Sequence, residues 1–290
     1  MPKYLLFIIL IVLNSCIGHD YVESVGEVPI DIKLTSNYSF FVAGHTYGNP
    51  ITYQYGLHPP VVEKIPFINK YPEMDLGVLT GDVVPFTTVE YWDAALTDID
   101  KFSKPIHIAA GNHDRGPVFE DLFEYYYSFW NEDDIFIILS PTNWNIEGEQ
   151  KDFLIETIDN AFSSANNIFI FCHELIWWAP DNEFANVKIN YAPQYPGKTN
   201  YWSEISPYLE SIPKNVVIYA GDLGANNTVT PYMYYKYHNI TLIANGVGGG
   251  QQDNIIVTEV DEDGGLDFKL LGINQGTPYE IENLKDYKLP

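Results

Sequence analysis

The chain alternates two patterns. Short, continuous apolar runs occupy residues 38–43, 76–79, 106–110, 168–172 and 216–220. Each is too short for a buried helix, and each reads as a strand covered on both faces. Between them lie stretches whose apolar residues recur every three to four positions, at 88–102, 117–129 and 149–165, and this spacing predicts amphipathic helices. Such strand–helix alternation implies a mostly parallel sheet with helices on its outer face. After residue 240 the pattern changes. Residues 240–244, 255–259 and 266–271 read as strands joined by turns, two of them at the glycine-rich segments 246–250 and 261–265. A second, more antiparallel sheet packed on the first is the expectation for this tail. No internal repeat, Ser/Gly linker or second compositional regime interrupts the body, so a single domain is expected over 31–290.

The first residues follow neither pattern. Residues 1–15 read MPKYLLFIILIVLNS, with Lys3 as the only charge and an apolar run of ten residues from 4 to 13. A bilayer-spanning helix needs roughly 20 residues. The run fits the apolar centre of a secretory signal instead, typically about 7–15 residues long. Leu13-Asn14-Ser15-Cys16 resembles a bacterial lipobox, which implies cleavage before Cys16 and lipid on its thiol. The expected organisation is a signal peptide over 1–15, a polar tether over 16–30 and a body attached to the cell envelope through Cys16. A secreted protein with Cys16 incidental is the alternative. Of the 2 Cys residues, the other, Cys172, sits in an apolar run and is expected in the core. Two cysteines exclude a disulfide scaffold.

Charge narrows the partners. The 15 Lys+Arg against 39 Asp+Glu leave a formal charge of −24. Such a surface repels nucleic-acid phosphate and anionic headgroups, so no nucleic-acid polymer is expected, and membrane attachment falls to the lipid alone. A monomer is expected. The 22 Tyr and 6 Trp suit sandwich cores and carbohydrate-facing clefts alike, and so decide nothing by themselves.

The chemistry lies at the strand ends. The five runs of the body are followed by Gly44-His45, Gly81-Asp82, Gly111-Asn112-His113-Asp114, His173-Glu174 and Gly221-Asp222. Polar residues at the carboxyl ends of parallel strands converge on one crevice. Imidazole, carboxylate and amide oxygen together suit Mn, Fe or Zn. An ion so held acidifies water and neutralises a phosphoryl oxygen. No G-x-S-x-G elbow, P-loop or H-E-x-x-H run competes with this reading.

In its order the series resembles the calcineurin-like metallophosphoesterase family, whose motifs run D-x-H, G-D, G-N-H-D/E, H and G-H-x-H. The resemblance covers residues 38–271. Gly81-Asp82 and Gly111-Asn112-His113-Asp114 match in full, and His173 falls where the family has its lone strand-ending His. The resemblance implies an α/β fold, a four-layer αββα sandwich of two mixed sheets. It also implies one or two divalent ions, and hydrolysis of phosphomonoesters or phosphodiesters. Two motifs depart: D-x-H appears as Ala43-Gly44-His45, and G-H-x-H as Gly221-Asp222-Leu223-Gly224. Carried over residue by residue, one metal set keeps only His45 and Asp82. The other becomes Asp82, Asn112, His173 and Asp222, every member still able to ligate. The resemblance therefore implies one good site and one crippled site, with His113 as general acid and Asp114 as its support. Asp82, Asp222 and one divalent ion sum to about zero, against about +2 for a complete two-metal site, so the pull on an anionic phosphate is weaker. An envelope-attached, metal-dependent phosphoesterase is the expected function. The alternative is a non-catalytic protein of the same fold that binds an envelope glycan or protein. Trp177 and Trp178 read equally well as cleft wall or core, His107 and His238 as packing or surface residues, and His19 and His58 carry no signal.

Overall fold

A computed structural model describes residues 36–248 and 250–290. The expected signal peptide, the tether up to residue 35 and Cys16 lie outside the described residues. In chain order the elements are β1 (Ser36–Ala43), α1 (Pro59–Ile68), β2 (Met74–Thr80), α2 (Val89–Ile99), β3 (Ile106–Ala109), α3 (Pro117–Leu122), β4 (Tyr127–Asn131), β5 (Asp134–Ile138) and α4 (Gly148–Ala161). Then follow β6 (Asn167–Phe171), α5 (Ser206–Glu210), β7 (Asn215–Ala220), β8 (Tyr232–Tyr237), β9 (Ile240–Asn245), β10 (Asn254–Asp261), β11 (Leu266–Gly272) and β12 (Tyr279–Asn283). They build two six-stranded mixed sheets, ordered β12-β11-β10-β1-β2-β3 and β4-β5-β6-β7-β9-β8. In the first, β1, β2 and β3 run parallel while β10 to β12 are antiparallel. In the second, β5, β6, β7 and β9 run parallel, with β4 and β8 antiparallel at the edges.

Side-chain alternation sets the layers. Phe40 and Val42 of β1 point between the sheets, while Phe41 and Ala43 point outward to Val61 and Ile65 of α1 and Trp92 of α2. In the second sheet Phe169 and Phe171 point inward, while Ile168, Ile170 and Cys172 pack outward against Leu154 and Ile158 of α4. The interior between the sheets is largely aromatic. Phe40 meets Phe169 edge-on at 4.9 Å, and Phe171 stacks on Tyr219 at 5.1 Å and 7°. Each fully buried ring or branched chain contributes about 1.5–3 kcal/mol by leaving water. The result is helix, sheet, sheet, helix: the four-layer αββα sandwich.

Two expectations need correction. The tail is not a sheet of its own. β9 pairs in parallel with β7, whereas β10, β11 and β12 extend the first sheet beside β1. The chain changes sheets just after β9, where Asn245 Nδ2 donates to Val42 O (3.2 Å) and Asn254 O (3.3 Å), both in the first sheet. The expected helix over 117–129 stops at Leu122, because Phe123 is already extended (φ −143°). The aromatic run after it favours a pleated surface, and it forms β4, hairpinned to β5 through Glu132 (φ +47°). Trp177 and Trp178 are core, buried beneath the second sheet's helices, and do not line the cavity described below. Cys172 is buried, as expected for a small core residue.

His107 sits within β3, stacked on Phe129 at 3.8 Å and 11°. Burial pushes its imidazole down to about 4. A folded pKa below the unfolded value of about 6.5 means that both states are neutral above pH 6.5. Between pH 6.5 and 4 the unfolded chain takes up the proton first, so stability is lost as pH falls. In urea titrations at pH 7 and pH 5, His107→Phe should show a smaller loss of midpoint across that interval than the unchanged protein. An equal loss would show that His107 is not one of the groups responsible.

Candidate metal centre

The carboxyl ends of both sheets meet at one point. His45 follows β1, Asp82 follows β2, Asn112 to Asp114 follow β3, His173 follows β6 and Asp222 follows β7. The connecting turns are tight. Gly81 (φ +82°), Asp82 (φ +52°) and His45 (φ +52°) all take the left-handed conformation that glycine adopts freely and aspartate tolerates. Backbone bonds latch the turns together. His45 N–H donates to Gly81 O and Tyr47 N–H to Asp82 O, both at 3.0 Å. Gly221 and Asp222 N–H both donate to His173 O, at 2.9 and 3.0 Å.

Three imidazoles share one device. Nδ1 of His45 donates to Val247 O (3.1 Å), that of His173 to Thr80 O (2.9 Å) and that of His113 to Pro85 O (2.9 Å). A carbonyl only accepts, so each Nδ1 carries the hydrogen and each Nε2 is left for another partner, the arrangement found behind metal-binding histidines. Nε2 of His173 is fully buried with no hydrogen-bond partner among the described residues, and so is Oδ2 of Asp222. His173 Nε2 lies 3.4 Å from Asp82 Oδ2 and 3.7 Å from Asp222 Oδ1. One ligand atom from each of Asp82, His173 and Asp222 falls within 4.8 Å of the other two. At metal–ligand bonds of about 2.0–2.2 Å, three atoms so grouped can share an ion. His45 Nε2 stands to one side, 3.6 Å from Asp82 Oδ2.

The electrostatics call for positive charge. Burial opposes the Asp82 carboxylate, yet His173 and then His45 hold it well below the usual range. Burial also opposes a charged His173, but Asp82, joined by Asp222 and Glu174, raises it well above its ordinary value. Asp222 is pushed up to about 7 by burial, in spite of His173. His45 is pushed down to about 4 by burial, against the pull of Asp82. Two buried acids thus compete for the single proton of His173, and a divalent cation satisfies both. The residues present therefore fit a metal ion: its donors are buried and oriented, and His173 Nε2 and Asp222 Oδ2 have no hydrogen-bond partner among the described residues.

Above this floor opens a cavity of about 300 Å³. His45, Tyr47, Asp82, Asn112, His113 and Asp222 form one part of its lining, and Asn190, Tyr191, Gln194 and Asn226 another. Asn112 is exposed on the rim. Asp114 is fully buried, and its carboxylate makes no hydrogen bond to His113 among the described residues. Its Oδ1 accepts from Val83 and Val84 N–H (2.9 and 3.1 Å) and its Oδ2 from Gly111 N–H (2.8 Å). Asp114 thus ties the turn after β2 to the turn after β3, and the support for His113 comes from the Pro85 carbonyl instead. His113 N–H donates to Asp82 Oδ1 (3.1 Å), which fixes the same loop to the centre.

Several contributors escape a reading of strand ends. Tyr47 is wedged between the rings of His45 (4.4 Å) and His113 (5.3 Å), two residues past the strand-end His that was its only signal. Asn190 Oδ1 accepts from Ala225 N–H (2.9 Å) and its Nδ2 donates to Leu223 O (3.2 Å), shaping the turn that carries Asp222. His58, which carries no sequence signal, is buried against Asp253 at 3.2 Å. Asp253 Oδ1 accepts from Gly248 and Gly250 N–H and so braces the segment whose Val247 carbonyl orients His45.

No protein-family model matches the chain, and no curated protein matches it. Among solved structures it is similar to a single mutant of Vps29 from Entamoeba histolytica, at 8% identity over 83% of this chain and 95% of that one, with a TM-score of 0.40. It is also similar to the sulfate thiohydrolase SoxB of Thermus thermophilus in complex with glycerol, at 11% identity over 90% of this chain, with a TM-score of 0.46. In that second likeness the chain spans 59% of the other protein's length.

Proposed function

We propose that this protein is a metal-dependent hydrolase of phosphate esters, working with one divalent ion held by Asp82, His173 and Asp222. The observation that carries this reading is the pair of buried, unpartnered ligand atoms, His173 Nε2 and Asp222 Oδ2, beside the Asp82 carboxylate. When bound, the ion supplies acidified water and withdraws charge from the phosphoryl group. Asn112 offers its amide oxygen from the rim. With Nδ1 committed to Pro85, His113 has only Nε2 free to hand a proton to the leaving oxygen. Tyr47 meets the shortage of positive charge. Its hydroxyl has no hydrogen-bond partner among the described residues, and burial together with Asp82 keeps the phenol protonated. It is placed to donate to a phosphoryl oxygen.

Metal analysis of the purified protein and turnover of bis-p-nitrophenyl phosphate test the reading together. One tightly held transition ion with metal-dependent turnover supports it. A folded, metal-free protein without turnover overturns it in favour of the non-catalytic binder. Tyr47→Phe should keep its ion and lose kcat by roughly 10–100-fold, the worth of one hydrogen bond to a charged group at about 1.5–3 kcal/mol. Unchanged kcat would remove Tyr47 from the mechanism. We further propose export and lipid attachment at Cys16, supported by the apolar run over 4–13 and by Leu13-Asn14-Ser15-Cys16. Labelled palmitate should enter the full chain but not Cys16→Ser.

A further inference from the structure

We infer that the alcohol half of the ester is a carbohydrate, held over an aromatic ledge and an amide rim at the mouth of the metal cavity. This inference deepens the phosphoesterase reading and rests on it for the position of the phosphate.

The ledge is built from the loop after β1 and from the loop that leads into α2 with that helix's first turn. Pro50 lines the cavity, and the Pro85 carbonyl holds His113 Nδ1. One to a few residues beyond them, four rings form a connected body. Tyr53 meets Phe86 at 5.1 Å, Phe86 meets Tyr91 at 5.6 Å, and Tyr55 stacks on Tyr91 at 4.4 Å and 8°. Tyr91 Oη donates to Tyr53 O at 3.2 Å, which fixes the loop. The rings are ordered against one another, yet they face water: Tyr53 is 50% exposed, Tyr55 64% and Phe86 46%, with Ile51 beside them at 83%. An ordered apolar surface that borders a cavity marks a ligand contact.

The chemistry of the mouth selects the ligand. Primary amides of Asn112, Asn190, Gln194 and Asn226 line the cavity, and Tyr191, 55% exposed, stands among them. The side chains of Asn112 and Gln194 have no hydrogen-bond partner among the described residues. An amide offers a donor and an acceptor side by side, which matches a ring of hydroxyls that each donate and accept. A flat aromatic face matches the C–H face of the same ring, and tyrosine adds a polar edge. No Lys or Arg lines the cavity, and the chain carries −24, so a nucleic acid or an anionic lipid surface finds no complementary charge. Hydrolysis breaks the P–O bond to the sugar and forms a new one from water. The sugar oxygen takes its proton through His113, which lines the cavity and is hydrogen-bonded to the residue before Phe86, and a proton from water restores His113.

The test separates the ligand from the reaction. Binding of chitotriose, mannotriose and cellotriose to the full chain is followed by saturation-transfer NMR, with and without a chelator, beside adenosine and phosphatidylglycerol vesicles. At least one trisaccharide should bind in both conditions. The Tyr53→Ala/Phe86→Ala variant should weaken that binding about tenfold or more, roughly 1.4 kcal/mol, and leave the metal content of the protein unchanged. Both substitutions fall on exposed rings, and circular dichroism checks that the variant is folded. Absence of trisaccharide binding, binding indifferent to the ledge variant, or ledge-dependent binding of adenosine or vesicles alone overturns the inference. Failure of the phosphoesterase reading shows separately, as trisaccharide binding without metal or turnover.

Discussion

Asp82→Asn should yield a folded protein that holds little metal and turns over phosphodiesters at least about 100-fold more slowly. Loss of an outer-shell partner already costs roughly 10–100-fold in metal affinity or activity, and Asp82 is closer than that. Its Oδ2 lies 3.4 Å from His173 Nε2 and 3.6 Å from His45 Nε2, so among the described residues it is the one acid that reaches both imidazoles. An amide oxygen can still accept the His113 N–H that Oδ1 accepts at 3.1 Å, and the loop is preserved. Only the charge is removed, and with it the force that gathers a cation. Metal stoichiometry by plasma mass spectrometry and bis-p-nitrophenyl phosphate turnover measure the two effects. Full metal content in the variant would place the ion elsewhere and end the mechanism.

The largest effect on stability is expected at Gly221. A Cβ there would run into the backbone carbonyl of Thr80 on the other sheet, with no flexible side chain to give way. Gly44 is caught in the same way between Asn245 O and the Gly221 backbone. Overpacking against backbone at such a point costs about 3 kcal/mol or more, which lowers Tm by roughly 6–12 °C in a chain of this size. Gly197→Ala is the control. Its φ is +90°, but nothing lies within 4 Å of the added carbon, so only the backbone strain of about 1–2 kcal/mol applies. Equal shifts in the two variants would show that the approach of the sheets at Gly221 is not what limits stability.

The inner strands other than β5 were legible because burial on both faces makes them continuous apolar runs. β1, β2, β6 and β7 all fall where that pattern puts them. The edges were not. β4 and β8 are half-buried and rich in aromatics, so neither period marks them. The split of the tail between two sheets was also hidden, because pairing depends on which edge stands open and not on local pattern. At the site the outcome divides along the same line. Asp82, His173 and Asp222 stand directly at strand ends, and the structure brings their ligand atoms together. Tyr47, Asn190 and the ledge come from loops, whose course is set by contacts distant in sequence. The bond of Asp114 to Val83 and Val84, rather than to His113, is a tertiary choice that no spacing reveals.

Asp82 belongs to one sheet, and His173 and Asp222 to the other. An ion gripped by all three would therefore pin the two sheets to each other at their carboxyl ends, as well as serve as a reagent. Stripping it with a chelator should loosen the two halves as a whole, lowering resistance to heat in proportion to the binding free energy lost. Turnover and mechanical cohesion would then rise and fall together with the supply of metal.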